Sequence, residues 1–369
     1  MLKRVYVDNY RCFVNFEMRL AQQQLIVGVN GTGKSTLLDV LRALKDLSTG
    51  DTGPDVLFPE SSRTRWQTLG QQSFELDVEL AGELYQFKLQ LDSQGTPART
   101  RIRHEVVLCA GQPVFEFQDG EVHLFNDSYQ RKVNYPFDWF RSALATVQSR
   151  PENKKLMRFK EWLSNLHCLQ LDPLRMSGTT DSEQSRPLSD LSNFASWYRH
   201  LTQERVDSAA ALQSSLANII PGFESLDLRS VGGVVRNLVA KFGSANGSRT
   251  GYTVGFDELS EGQRVLICLY AILEFLVTDS VCLFLDEPEN FIALPEIQPW
   301  LMELRDRIDD RGGQVTLISH HPEMIDYLAP ELGFIFERVG DGPARVRKFD
   351  SGDTNSLTVS ERFARGWVE

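Results

Sequence analysis

Apolar residues along the chain change period several times, and each change predicts a different element. "LKRVYVDNY" and "CFVNFEMRL" predict two short strands, and the apolar run of "QQLIVGV" suits the centre of a sheet. A Gly-rich turn then opens "KSTLLDVLRALKDL", where Leu37, Leu38, Leu41 and Leu44 recur at helical spacing. Residues 49–70, rich in Gly, Pro, Ser and Thr, predict a loop. Beyond it the period is two. Phe74, Leu76, Val78 and Leu80 alternate with polar residues, as do Tyr85, Phe87, Leu89 and Leu91, with weaker runs at 102–108 and 114–117. This predicts an antiparallel sheet with one covered face.

From 137 to 223 the pattern is mainly helical. "KKLMRFKEWLSNL" and "LSNFASWYRHLTQERVDSAAALQSSLANII" predict helices, "CLQLDP" a short strand, and "SGTTDSEQSRP" a polar loop. Pro187, Pro221 and the lack of sustained heptads argue against a long coiled-coil arm. The last third alternates again: helix in "EGQRVLICLYAILEFLV", strand in "VCLFLDE", helix in "LPEIQPWLMELRDRI", strand in "QVTLISH", and a final strand in "LGFIFERV". Strand–helix alternation of this kind predicts a parallel sheet layered with helices. The expected divisions are an N-terminal half over 1–135, a mainly helical inserted lobe over 136–250, and a C-terminal half over 251–369.

Composition narrows this picture. The chain has 369 residues, 41% hydrophobic and 24% charged, as in a soluble globular protein. No apolar run approaches membrane-spanning length, and "MLKRVYVDNY" lacks a signal-peptide core, so a cytoplasmic location without membrane contact is expected. Five widely spaced cysteines without a C-x-x-C predict reduced, mostly buried thiols and no zinc site. The net charge of -11 disfavours a surface that coats nucleic acid. Basic clusters remain at Arg99, Arg101 and Arg103, at Lys154, Lys155, Arg158 and Lys160, and at Arg345, Arg347 and Lys348. They either track a nucleic-acid backbone or form solvated faces, and the acidic balance favours the second reading.

Two segments look built for phosphate. In "GVNGTGKST", Gly28, Gly33, Lys34 and Ser35 fit the P-loop spacing, after a predicted strand and before a predicted helix. Such a loop, here with Asn30 and Gly31 in it, wraps phosphates with backbone N–H groups, and the helix N-terminus adds a favourable field. Lys34 would reach the β and γ phosphates, Ser35 would ligate Mg²⁺, and Thr36 stands beside it. More than two hundred residues later, "DELSEGQRV" places Ser260, Gly262 and Gln263 at the start of a helix, a second anion site. "VCLFLDEPEN" ends an apolar strand in Asp286, a Mg²⁺ ligand directly or through water, and Glu287, a general base for the attacking water. In "QVTLISHHPE", His320 at a strand tip would sense the γ-phosphate; helix capping is the competing role, retained for His321.

P-loop, "LSEGQ", "LFLDEPE" and "ISHH", in this order, resemble an ABC-type ATPase. "VDNYRCFVNFEMRL", "DEPEN" and "SHHPE" resemble the RecF, SMC and OLD-like AAA group of bacterial genome maintenance or anti-phage defence. The resemblance implies an α/β P-loop NTPase of ABC-ATPase type: a mixed central sheet with flanking helices, an antiparallel β subdomain and an inserted helical lobe. It also implies ATP sandwiched between two copies. Ser260 and Gly262 of one copy would face the γ-phosphate held by the other, and a separate effector, a nuclease or toxin, would be controlled by the dimer. Arg11 would contact phosphate or adenine, or else be a surface hairpin charge. Gln148 in "TVQSRPENKK" is the candidate for the glutamine near Mg²⁺ and water, against an ordinary surface role.

The chain departs from the pattern at Leu294, where relatives often carry His or Asp before the proline. With fewer than fifty residues after His321, the Toprim domain of OLD-type nucleases is not expected. Two other functions compete. A transporter ATPase is disfavoured by Glu261, where such proteins usually have Gly, and by the large insertion. A non-hydrolysing scaffold is disfavoured by the complete set of Lys34, Ser35, Asp286, Glu287 and His320.

Overall fold

Strands whose apolar residues alternate build most of one sheet, and strands buried at every residue form the centre of another. The computed structural model describes residues 1–50, 52–94, 98–243, 251–349 and 358–364. The expected loop at 49–70 is therefore described except at residue 51, and most of the segment after residue 349 lies outside the described residues. The chain divides into two units: Met1–His167, Cys282–Phe284 and Gln314–Glu369 form the first, Cys168–Val281 and Leu285–Gly313 the second.

The chain begins with strands β1 (Leu2–Asp8), β2 (Phe16–Arg19) and β3 (Gln23–Val27), helix α1 (Lys34–Thr49) and a single helical turn, α2 (Pro54–Leu57). Six strands follow: β4 (Gln72–Leu80), β5 (Glu83–Gln94), β6 (Arg99–Cys109), β7 (Gln112–Gln118), β8 (Glu121–Phe125) and β9 (Arg131–Pro136). Next come α3 (Ala143–Thr146), α4 (Lys154–Ser164) and β10 (Leu166–Leu169). Then β11 (Thr179–Thr180), α5 (Phe194–Glu204), α6 (Val206–Ile219), β12 (Phe223–Gly232), β13 (Val235–Phe242), β14 (Tyr252–Gly255) and α7 (Glu261–Phe275). The chain closes with β15 (Cys282–Asp286), α8 (Leu294–Arg311), β16 (Gln314–Ile318), α9 (Pro322–Leu332), β17 (Gly333–Arg338), β18 (Ala344–Lys348) and α10 (Val359–Ala364).

In the first unit, the antiparallel sheet runs β2-β1-β4-β5-β6-β7-β8-β9. Residues that alternate in sequence become cross-strand partners. Val7, Phe74 and Leu89 align, as do Val5, Leu76 and Phe87, all without solvent exposure. The alternation is thus a record of one covered face. The second sheet runs β10-β15-β16-β3-β17-β18, with β3 parallel to both β16 and β17 and β18 antiparallel to β17. It is mixed, as expected. β3 and β16 are buried at every residue, with no alternation of buried and exposed positions, so each must be covered on both faces. Where polar residues enter these strands they pair: Gln24 Nε2 donates to Thr316 Oγ1 at 2.8 Å across β3 and β16. Buried Gln314 joins the two sheets, accepting from Leu2 N and donating to Leu2 O, both at 2.8 Å.

The second unit holds the sheet β11-β13-β12, with β14 on β13, and helices α5 to α8. From Val265 onward α7 is almost wholly buried. Trp300 of α8 is buried against it and donates its indole N–H to Leu269 O at 2.8 Å. Arg307 of α8 forks onto Glu274 at 2.6 and 3.1 Å. The long helical run at 191–220 breaks into α5 and α6 at Arg205.

Several strands lie outside the expectations: β8, β9, β11 (which falls in the expected polar loop), β12, β13, β14 and β18. β9 is exposed at nearly every position, so it has no apolar face to advertise. "LGFIFERV" is not the last strand, because β18 turns back beside it.

Candidate functional site

The loop from Gly28 to Gly33 connects β3, at the middle of the mixed sheet, to the 16-residue helix α1. Its shape depends on glycine. Gly31 and Gly33 have φ of 81° and 109°. A Cβ on Gly33 would also lie 2.9 Å from Cys12 Sγ and 3.1 Å from the Phe13 ring. A Cβ on Gly28 would lie 2.5 Å from Phe336 O. Lys34 is buried, and its ammonium donates to Gly28 O at 2.6 Å and Val29 O at 3.1 Å, folded back over the loop. Helix α1 has no acidic residue in its first turn and no side-chain cap. A bare helix N-terminus, a left-handed glycine loop and an overhanging ammonium are the donor set a triphosphate requires, and these residues fit it. Asn30, Gly31 and Ser35 are exposed at the rim, and Thr36 is half-buried.

Within the same unit the β1–β2 hairpin tip lies against this loop through Cys12 and Phe13. Arg11, at φ 47°, pairs with Asp39 on α1 and lies 5.3 Å from the centre of the Tyr10 ring. Neighbouring Asn9 is fully buried and serves the fold: its amide donates to Leu69 O and Gln71 O, both at 2.7 Å, and its oxygen accepts from Thr64 N. Arg338, at the end of β17, donates to Gly31 O at 3.1 Å and lies 5.4 Å from the Trp66 ring centre. Sequence reasoning missed Arg338, because only the pairing of β17 with β3 carries it to the P-loop.

β16 ends beside β3, and Ser319 and His320 follow its last residue; Ser319 Oγ accepts from His321 N at 3.0 Å, and His320 is half-buried. Gln148 is exposed, and its carbonyl accepts from Asn153 Nδ2 at 3.0 Å. Asp286 ends β15, 4% exposed, and Glu287 follows with φ 49°. Among the described residues, no group of three or more His, Cys, Asp or Glu side chains could hold a metal by itself. The exposed Ser35 offers one hydroxyl, which would suit a Mg²⁺ that keeps waters and phosphate oxygens in most of its positions rather than a dedicated protein cage.

In the second unit, Ser260 caps α7. Its Oγ accepts from Gln263 N at 3.2 Å, and Gln263 Oε1 accepts from Ser260 N at 3.2 Å, a reciprocal capping box. "SEGQ" is therefore a helix start on local grounds alone. The other end of α7 is where the arrangement becomes unusual. The helix has no basic residue in its last turn, yet three guanidiniums from elsewhere in the unit reach carbonyls at or just past its end: Arg307 at Leu273, Arg205 at Phe275 and Arg311 at Val277. The C-terminal partial charge is offset, and the N-terminal one faces a cavity of about 620 Å³. That cavity is lined by Ser260 to Arg264 above an apolar floor of Ile219, Ile220 and Leu266, with Phe291 at its edge. A Cβ on Gly262 would lie 2.6 Å from Phe291 O, so glycine is needed for the loop after Glu287 to pack on the helix start.

Five residues of the basic clusters are ion-paired in place. Arg99 pairs with Asp55 at 2.9 Å and Arg101 with Asp92 at 2.7 Å, and each covers an aromatic ring. Lys155 and Arg158 share Glu83 at 2.8 and 3.5 Å, and Arg347 pairs with Glu337 at 3.1 Å. Four of the five cysteines are buried and all are free thiols.

A family model described as "AAA domain, putative AbiEii toxin, Type IV TA system" matches residues 25–326. The chain belongs to this family. It is an ABC-type, RecF/SMC-like P-loop ATPase domain, a class that binds ATP. One similar solved structure is an SMC head bound to the C-winged helix domain of ScpA; TM-score 0.56, identity 12%, with 98% of this AAA chain and 99% of that chain covered. Another is the SMC head domain from Thermotoga maritima, with a TM-score of 0.48, 13% identity and coverage of 95% and 99%. At these identities the likeness is one of fold. No curated protein matches the AAA chain. Among its described residues, no helix is long and apolar enough to cross a membrane.

Proposed function

We propose that this ATPase domain is an ATP-gated switch that hydrolyses ATP and controls a separate effector. The observation that carries the reading is the P-loop itself: Gly31 and Gly33 in left-handed conformations, with the Lys34 ammonium 2.6 Å from Gly28 O. That ammonium is held by carbonyl dipoles, which a triphosphate would outbid as a partner. Asn30, Gly31, Gly33 and Thr36 would donate to phosphate oxygens, and Arg11 would add a cation beside them. Mg²⁺, with Ser35 and Asp286 as its protein ligands, would supply charge neutralisation at the β and γ phosphates. Glu287 would take the proton of the attacking water, His320 would hydrogen-bond the γ-phosphate, and Gln148 would help orient the water.

The start of α7, with Ser260, Gly262 and Gln263 opening on a cavity, supports a second half-site. In this reading it closes on the nucleotide of a second copy, so that ATP joins two chains and hydrolysis parts them. The toxin named in the family description supports a defence effector, a nuclease or toxin, over a purely metabolic role. The SMC head solved with a winged-helix domain supports a head that docks another protein. DNA maintenance and a cytoplasmic location remain part of the proposal, and the locally paired basic clusters weaken direct nucleic-acid binding.

Purified chain with ATP and Mg²⁺ tests it. Lys34→Ala should abolish nucleotide binding, and Glu287→Gln should keep ATP bound and accumulate dimers by light scattering. A Glu287→Gln protein that turns over ATP at the wild-type rate, or stays monomeric with ATP bound, would refute the switch.

A further inference from the structure

The turn after Glu287 contains two residues in conformations that most side chains avoid, Glu287 at φ 49° and Phe291 at φ 74°. Both lie in the second unit, and the hydrogen bonds between them account for the shape. Asn290 N donates to Glu287 O at 3.1 Å, and Asn290 Nδ2 donates to Glu287 Oε2 at 2.6 Å. The amide orientation is fixed by chemistry, since an ionised carboxylate only accepts. Phe291 then brings its carbonyl against the start of α7, where a Cβ on Gly262 would approach it to 2.6 Å. Ala293 N donates to Glu296 Oε2 at 3.3 Å and hands the chain to α8.

We infer that Asn290 is a positioning residue that aims the Glu287 carboxylate, and that the contact of Phe291 with Gly262 keys this aim to the start of α7. The inference rests on the general-base role proposed for Glu287. Asn290 itself is exposed. Its amide would be hydrated if the bond were broken, so little stability depends on the pair. What the bond fixes is the direction of a side chain whose backbone is already held left-handed. Anything that presses on the Ser260–Gly262 end of α7, such as a phosphate, touches the same turn. The turn that holds the base by this bond thus abuts the start of α7 directly.

Single-turnover hydrolysis of ATP by the full chain with Mg²⁺ separates aim from stability. Asn290→Leu, of similar size without a donor, should slow the bound-ATP step by roughly tenfold to a hundredfold. Nucleotide Kd and unfolding temperature should stay at wild-type values. Asn290→Asp, which puts a carboxylate against a carboxylate at neutral pH, should be slower still, and Asn290→Gln should recover part of the rate. An Asn290→Leu rate within about twofold of wild type, or a loss shared equally by Kd and unfolding temperature, overturns the positioning role while leaving the ATPase reading intact. If wild type does not hydrolyse bound ATP and Glu287→Gln changes nothing, the general-base reading fails and this inference falls with it.

Discussion

Glu105 sits where the covered face of the antiparallel sheet should be apolar. In register it lies between Leu89 and Phe117, in the row that begins with Val7 and Phe74, and it has no solvent exposure. Burial pushes its carboxyl from an ordinary 4.5 up to about 7, against the pull of Ser142 Oγ, which donates to it at 2.7 Å. The folded state therefore holds this proton more tightly than the unfolded chain does. The stabilising contribution is complete below pH 4.5 and drains away as pH rises through 7. Between pH 5.5 and 8 the loss is about 2 kcal/mol for a shift of this size. Glu105→Gln keeps the volume and an acceptor and removes the titration. Urea unfolding of both proteins at the two pH values is the assay. The stability difference, mutant minus wild type, should grow by about 2 kcal/mol at the higher pH. A change below about 0.5 kcal/mol would mean that Glu105 ionises in the folded protein as it does in water. The consequence reaches the nearby turn: Ser142 caps α3, and Lys160 donates to Leu144 O and Val147 O at 2.7 Å, immediately before Gln148.

Gly33→Ala should combine backbone strain at φ 109° with a contact to Cys12 Sγ at 2.9 Å; we expect a cost of about 2 kcal/mol and weaker ATP binding, read by calorimetry. Arg307→Met should destabilise the chain by about 3 kcal/mol in urea, because Glu274, with its side chain 7% exposed, would keep its charge without its fork; the double change with Glu274→Leu should recover most of that loss.

Much of the fold was legible because burial leaves a period. β4 and β5 pair residue for residue along the alternation that predicts them, and β3, β15 and β16 are as apolar as their layered positions demand. The hairpin β12–β13 was not legible. Its inner residues Leu226, Leu238 and Ala240 are buried, but its tip carries Val231 and Val234, each 64% exposed, so apolar and polar no longer report inside and outside. β18 escaped for a related reason: only Ala344 of its five residues is buried, and Arg345 reaches Val14 O in the β1–β2 turn while Arg347 pairs with Glu337 on β17.

The two elements proposed to hold phosphate could be read early because each is contiguous: a loop and the helix it opens need only neighbours in sequence to be recognised. Their support is not contiguous. Gly33 is required by Cys12, and Gly31 O is held by Arg338 from β17. The start of α7 faces its cavity with its far end offset by Arg205, Arg307 and Arg311, drawn from two other stretches of chain. No spacing rule reaches such residues, because their relation to the site is set by strand register and helix packing. The same reasoning explains why "SEGQ" is ambiguous in sequence: Ser260 and Gln263 satisfy each other in any capped helix. What lifts this helix start above an ordinary cap is the arrangement around it. Its C-terminal end is offset by cations from outside the helix, and its capped N-terminal end, with Glu261 in the first turn, opens on a cavity beside a turn that carries Glu287.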